Sequence, residues 1–239
     1  LGVKTALLAY AVGDPVESLR QAREFDPSAT RALVAATHPG WEGTASSHDG
    51  DLFYCCYPPE GWVYAGSFPG IDVLCDQDVM DYLPSEFPAR YLDAAAGRRV
   101  ILHAMHSVTD TFAYAIWENG SLGRSLYLSP DTGIAENIGD PLPFEAPYWA
   151  GEHPVDGRYP LPFHPLELGN DVALRALFGF VIAGRRQPAD IDAESVKLAG
   201  FQVPPANPIT EEMLAEFMRT HRRTSYRMGP DGKLIKVQT

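Results

Sequence analysis

Two histidines and an aspartate in the segment HAMHSVTD, His103, His106 and Asp110, are the residues whose types and spacing first invite chemistry. On a helix, histidines three apart share a face and could hold a metal together, whereas on a strand the same spacing sends them to opposite faces. The flanking apolar residues follow a strand pattern, which puts His103 inside a strand and His106 at its end. A joint metal site would need that strand to break, and the spacing matches no established zinc pattern, so no metal and no cofactor are expected. His106 and Asp110 flank a short turn. An imidazole–carboxylate pair there would either orient a general base or stabilise the turn by a hydrogen bond.

The second set of candidates lies in Asp140 to Pro165, which holds seven of the prolines together with Phe144, Glu145, Tyr148, Trp149, Glu152, His153, Asp156, Tyr159, Phe163 and His164. Long irregular segments in compact domains are usually functional or disordered, and this one is too aromatic for disorder. Convergent aromatics and acids suit a ligand pocket. The competing reading has the loop packed across an open sheet face, with Trp149 and Phe144 as plugs and His153-Pro154 and His164-Pro165 as turn residues. The two readings are compatible. Tyr148, Trp149, His153 and His164 are therefore the binding candidates, and His153 with Glu152 is a second candidate acid–base pair.

Hydroxyls are a third set, yet none of Ser107, Ser125 and Ser129 sits in a Gly-x-Ser-x-Gly elbow. A Walker phosphate loop, a Gly-x-Gly-x-x-Gly fingerprint and a His-Glu-x-x-His zinc helix are also missing, which disfavours the common ATPases, dehydrogenases and metalloproteases. Cys55 and Cys56 are adjacent and would face opposite sides of a strand, with Cys75 distant in sequence. Without a Cys-x-x-Cys spacing or a thiolate-favouring neighbourhood, these read as buried reduced thiols.

The elements that must position these residues are legible in the punctuation. Lys4 to Ala11 suits a buried strand, and Asp14-Pro15 marks a helix start. Helices are expected over Pro15 to Arg23 and Pro27 to Thr37, the second capped by Asp26 and stopped by His38-Pro39-Gly40. Asp51 to Tyr57, Trp62 to Phe68 and Ile71 to Cys75 read as strands, and Gln77 to Tyr82 and Pro88 to Ala96 as helices. Arg99 to Ile138 is a β-meander, with Asn119-Gly120 as the strongest short hairpin signal. After the loop, Asn170 is expected to cap a helix carrying Leu174, Leu177, Phe178 and Val181. Ser195 to Val203 reads as another strand, and Pro204 to Pro208 as a linker. Thr210 would cap a helix with Met213, Leu214, Phe217 and Met218 inward, followed by a hairpin over Tyr226 to Val237.

The chain carries a net charge of −12, which disfavours sequence-independent nucleic-acid binding. That charge is uneven. Residues 219 to 239 hold six Lys or Arg, among them Arg219, Arg222 and Arg223, against Asp231 alone, whereas residues 1 to 218 hold 13 basic and 30 acidic groups. A basic tail on an acidic body can dock in cis, onto a second copy, or onto an anionic partner. No apolar run is long enough to span a membrane. Leu1 to Tyr10 lacks the features of a secretory signal, so a cytoplasmic protein is expected.

Several segments carry a resemblance: KTALLAYA at the start, HPGW at 38 to 41, MHSVTD at 105 to 110, SLYLSPDTGIAENIGDPLPFEAPYWAGEHPV at 125 to 155, and PLPFHPLELG with ALRALFGFVIAG over 160 to 184. Together they resemble an uncharacterised domain-of-unknown-function family widespread in actinobacteria, over roughly Leu1 to Val203. The resemblance implies a cytosolic single-domain protein and brings no activity, substrate or catalytic residue with it. Pro204 to Thr239 looks like an extension beyond the usual pattern.

The expected architecture is α+β: a mainly antiparallel sheet with a β-meander, helices packed on it, a domain over residues 1–203 and a C-terminal helix and basic hairpin extension over 204–239. The leading functional expectation is a binding or regulatory module that meets a protein partner, or itself, through the aromatic loop and the extension. The alternatives are a small-molecule enzyme using His106/Asp110 or His153/Glu152, and an accessory subunit of a larger assembly.

Overall fold

The computed structural model describes residues 2–43, 49–157, 159–204, 225–228 and 234–237. β1 (Lys4–Ala11) is apolar on both sides because it lies mid-sheet, with a core layer on each face. Leu7, Ala9 and Ala11 point into one layer, and Ala6, Leu8 and Tyr10 into the other. Asp14 then caps α1 (Pro15–Gln21), its carboxylate accepting from the N–H groups of Val16 and Glu17. Asp26 does the same for α2 (Pro27–Thr37). Leu19 of α1 enters the first layer, and Leu33 and Val34 of α2 the second, so the sheet is covered on both sides.

Three expected elements before the meander come out differently. The strand expected over Asp51 to Tyr57 is a short β2 (Asp49–Asp51) followed by α3 (Leu52–Cys55). Asp51 causes the switch: its carboxylate accepts from Phe53 and Tyr54 N–H and caps a helical turn. Cys55 and Cys56 thus sit at a helix end, not on two faces of a strand. After β3 (Trp62–Phe68) and β4 (Ile71–Asp76), the helix expected at Gln77 is a 3-10 turn over Gln77–Asp81. The next helix narrows to α4 (Ala89–Asp93), since Ala96 and Gly97 take left-handed conformations at φ 50° and 82°.

The meander follows as β5 (Arg99–His106), β6 (Thr111–Glu118), β7 (Ser121–Ser129) and β8 (Gly133–Ile138). Asn119 and Gly120 join β6 to β7 with φ of 50° and 77°, the paired positive values of a type I′ turn. With β9 (Lys197–Gln202), the nine strands of this sheet run in the order β2-β9-β3-β4-β1-β5-β6-β7-β8, and every pairing is antiparallel. The fold is the α+β class that the sequence implies.

Between β8 and β9 the aromatic loop carries α5 (Ala146–Trp149), then a π-helical stretch over Glu167–Ala173 that continues as α6 (Leu174–Phe178). Asn170 is therefore inside a helix rather than at its cap. Its side-chain oxygen accepts from the N–H of Ile182 and Ala183, which also puts Val181 beyond the helix end. Gly169 is needed at its position: a Cβ there would stand 2.8 Å from Phe112 and 3.2 Å from Met105, both fully buried on the sheet.

The chain divides into a unit over Leu1–Pro204 and a second over Pro205–Thr239. In the second, β10 (Ser225–Met228) pairs antiparallel with β11 (Leu234–Val237), the hairpin expected there. The helix expected after Thr210, and Arg219, Arg222 and Arg223, lie outside the described residues. No helix among the described residues is long and apolar enough to cross a membrane.

Candidate binding surface around the aromatic loop

The turn from Ser107 to Asp110 joins β5 to β6, and Asp110 closes it with a left-handed φ of 47°. That conformation turns its carboxylate away from His106 and toward the loop. Tyr159 donates its hydroxyl to Asp110 at 3.3 Å, and His164 Nε2 lies 3.6 Å from the same oxygen. His164 Nδ1 accepts from the Leu166 N–H at 3.3 Å, which leaves the ring proton on Nε2, facing the carboxylate. The His164 ring stacks on Tyr159 with centroids 5.2 Å apart and planes 18° from parallel. Burial, followed by the Asp110 charge, pushes the Tyr159 phenol up to about 12.

The same arrangement occurs a second time. His153 Nδ1 meets Glu167 Oε1 at 2.7 Å, and the ring lies flat on Tyr148, with centroids 4.1 Å apart and planes 11° from parallel. Burial, then the Glu167 and Asp171 carboxylates, raise the Tyr148 phenol well above the ordinary tyrosine range. Glu152, the acid nearest in sequence, is exposed, and among the described residues no hydrogen bond or ion pair joins it to His153. The carboxylate that orients His153 is Glu167, one helix further along the chain. Each histidine is half-buried, tied on one side and open on another.

What holds the loop is a sealed charge cluster beneath it. Glu145 is fully buried and accepts from Arg124, from the Tyr114 hydroxyl, from Trp149 Nε1 at 3.0 Å and from the Leu142 N–H at 2.6 Å. Burial raises the Glu145 carboxyl, but the Arg124, Trp149, Tyr114 and Leu142 hydrogen bonds outweigh it and hold the group below the usual carboxylate range. Trp149 also sets its ring edge-on to Phe163 at 5.1 Å, and Phe163 and Leu161 are core residues. Trp149 and Tyr148 therefore act as anchors, and His153 and His164 form the accessible rim. Arg124 shares an alternation with Leu126 and Leu128, and a charge at an inward-facing strand position is itself a signal that a buried partner is needed.

A family model matches residues 5–201, a span that takes in both tyrosine–histidine–carboxylate units and the Arg124–Glu145 cluster. The chain belongs to DUF6928, a family of unknown function. No curated protein and no solved structure matches it. The DUF6928 span ends within β9, so residues 219 to 239, where the charge reverses, fall outside it.

Within the DUF6928 span, the histidines of β5 face opposite ways. His103 is fully buried: the Thr5 hydroxyl lies 2.8 Å from Nδ1, and Nε2 donates to the Gly169 carbonyl at 2.9 Å, bracing the π-helical stretch. Burial lowers its pKa to about 4, so it is neutral near pH 7. His106 lies on the other face, with Nδ1 3.4 Å from the Thr109 hydroxyl. Among the described residues no three or more His, Cys, Asp or Glu side chains are grouped to hold a metal ion. Burial raises the thiols of Cys55 and Cys75, and that of Cys56 to about 12, so none is a thiolate near neutrality.

A further ionisable cluster lies in the other core layer. Tyr91 donates to Asp76 at 2.5 Å, and His38 Nε2 stands 3.1 Å from the same oxygen, without the alignment of a hydrogen bond. Burial raises the Asp76 carboxyl, and His38, Tyr91 and the Asp78 N–H more than reverse that. The cluster is closed to solvent and fixes the start of the 3-10 turn at Gln77.

Proposed function

We propose that this protein is a cytosolic binding module. Its recognition surface is the rim of the aromatic loop, and the basic segment over residues 219–239 is a second contact element for a protein partner or another copy. The observation that carries this reading is the repeated unit of a tyrosine, a stacked imidazole and a carboxylate, His153 with Glu167 and His164 with Asp110, on a loop anchored from below. Fixed, half-buried aromatic and polar groups bind at low entropic cost, because their rotamers are set before a partner arrives. A regulatory role, or that of an accessory subunit, would use the same surface.

One observation favours a second reading, a small-molecule enzyme. Glu167 engages Nδ1 of His153 and leaves Nε2 toward solvent, the orientation of a general base held by a carboxylate. In that reading the acid partner is Glu167 in place of Glu152.

Recovery of partners from native lysate separates these readings. The full chain, a chain ending at Pro204 and a His153→Ala/His164→Ala double variant would be compared as bait, with light scattering for self-association. A binding module predicts that a discrete partner or dimer is lost with the double variant and weakened by truncation. Equal recovery by all three baits would sink the reading.

A further inference from the structure

On the other side of the Ser107–Asp110 turn, away from the aromatic loop, a cleft of about 230 Å³ opens beneath His106. We propose that this cleft is a binding site for a single neutral, polyhydroxylated small molecule of monosaccharide size. The inference is independent of the loop reading, since it uses none of the same side chains.

Size comes first. Pockets for drug-sized ligands occupy roughly 300–1,000 Å³, so this one holds about one ring. Its walls are the side chains of Tyr57, from the loop after α3, and Tyr127 of β7, and buried Thr111 lies at the base of β6. His106 meets the Tyr57 ring edge-on, with centroids 5.9 Å apart. Tyrosine rings offer apolar surface to the C–H faces of a sugar ring, with a hydroxyl at the wet end.

The polar groups fit hydroxyls better than ions. Gln77 donates to the Tyr57 hydroxyl at 2.8 Å, which leaves the amide oxygen available. Thr109 and Thr111 pair hydroxyl to hydroxyl at 2.9 Å; Thr111 keeps capacity for another bond, and Thr109 also reaches the His106 carbonyl and Nδ1, both at a long 3.4 Å that a ligand hydroxyl can displace. Asp81 stands at the rim with no hydrogen bond or ion pair to any described residue, a carboxylate with open acceptor sites. It repels an anionic ligand. At the other side, the Lys4 ammonium sits 5.0 Å over the Tyr57 ring and already takes the place a cation would choose. Burial and then Lys4 lower the His106 imidazole, while burial and then Asp76 raise the Asp81 carboxyl. Flanked by one charge of each sign and lined by neutral donors and acceptors, the cleft selects a ligand that offers hydroxyls and no net charge.

The test is amide chemical-shift titration of the full chain with glucose, ribose and myo-inositol, and in parallel with glucose 6-phosphate and free lysine. At least one neutral polyol should give saturable shifts centred on Gln77, Asp81 and Thr109. Asp81→Ala should weaken it by about tenfold or more, as for one hydrogen bond to a charged group. Thr109→Ala, at an exposed position, provides a second variant with the same expected direction. Absence of saturable shifts with all three polyols, tighter binding of the phosphate or the amine, or affinity unchanged in both variants would overturn the proposal.

Discussion

Arg124 of β7 grips Glu145 of the aromatic loop through two hydrogen bonds, Nε to Oε1 at 2.9 Å and Nη2 to Oε2 at 2.5 Å, with both side chains shut off from solvent. The remaining guanidinium nitrogen donates to the carbonyls of Ser125 and Ile138 and to the Asn137 side chain. Buried ion pairs are tolerable only when such satisfaction is nearly complete. Glu145→Ala should therefore cost about 3–5 kcal/mol by stranding the guanidinium. Urea unfolding measures it, and a loss under about 1 kcal/mol would place the loop's anchorage elsewhere.

His103 sets a pH dependence. Its folded pKa is about 4, against about 6.5 in an unfolded chain. Between those values the unfolded state binds the extra proton, so this contribution to stability falls as pH drops from near 6.5 toward 4. The slope is at most about 1.4 kcal/mol per pH unit. Unfolding free energies of the wild type and His103→Gln at pH 7 and pH 5 check it: the difference between the two proteins should shift across that interval, and a constant difference would contradict a neutral buried imidazole.

Gly120→Val isolates a backbone term. A Cβ at Gly120 would meet no atom within 4 Å, so crowding contributes nothing, and φ of 77° is what the new side chain must tolerate. The expected loss is at least about 1 kcal/mol, read as a lowered melting temperature. An unchanged melting temperature would remove the tight turn between β6 and β7 from the account.

A chain ending at Pro204 should keep the fold of the nine-stranded sheet. Val203 is buried and donates its N–H to Gly61 at 2.9 Å, so the last residue the sheet needs is retained. Cooperative thermal unfolding of the truncated chain, with amide spectra matching the full chain over residues 2–203, is the expected result. A molten or insoluble product would make the extension part of the core.

The features that were legible in the sequence are local. Asp14 and Asp26 cap helices because a carboxylate two residues before an N–H needs nothing distant to reach it. Asn119-Gly120 turns the chain for an equally local reason. Where distant packing decides, neighbours in sequence mislead. Sequence proximity pairs Asp110 with His106 across the turn, but its left-handed backbone hands the carboxylate to Tyr159 and His164. Proximity likewise pairs Glu152 with His153, yet the π-helical stretch delivers Glu167 instead. The helix expected from Asn170 begins earlier, at Glu167, as a π-helical stretch whose Gly169 carbonyl is held by His103 on the sheet. Asp81 and the cleft carry no motif at all; they arise from a 3-10 turn, a loop and three strands meeting at one corner.

The position of β9 between β2 and β3 has a consequence for how the chain is born. The meander from β5 to β8 pairs with itself as it leaves the ribosome, but the outer edge of β3 waits for residues 197 to 202. Until they emerge, β3 shows open backbone donors and acceptors and Asp49–Asp51 has no strand to join. An unpaired edge of this kind is a template for association between nascent chains. Slow translation through residues 140–200 would lengthen that exposure, and a chain stalled there would carry seven of the nine strands with the β3 edge uncovered.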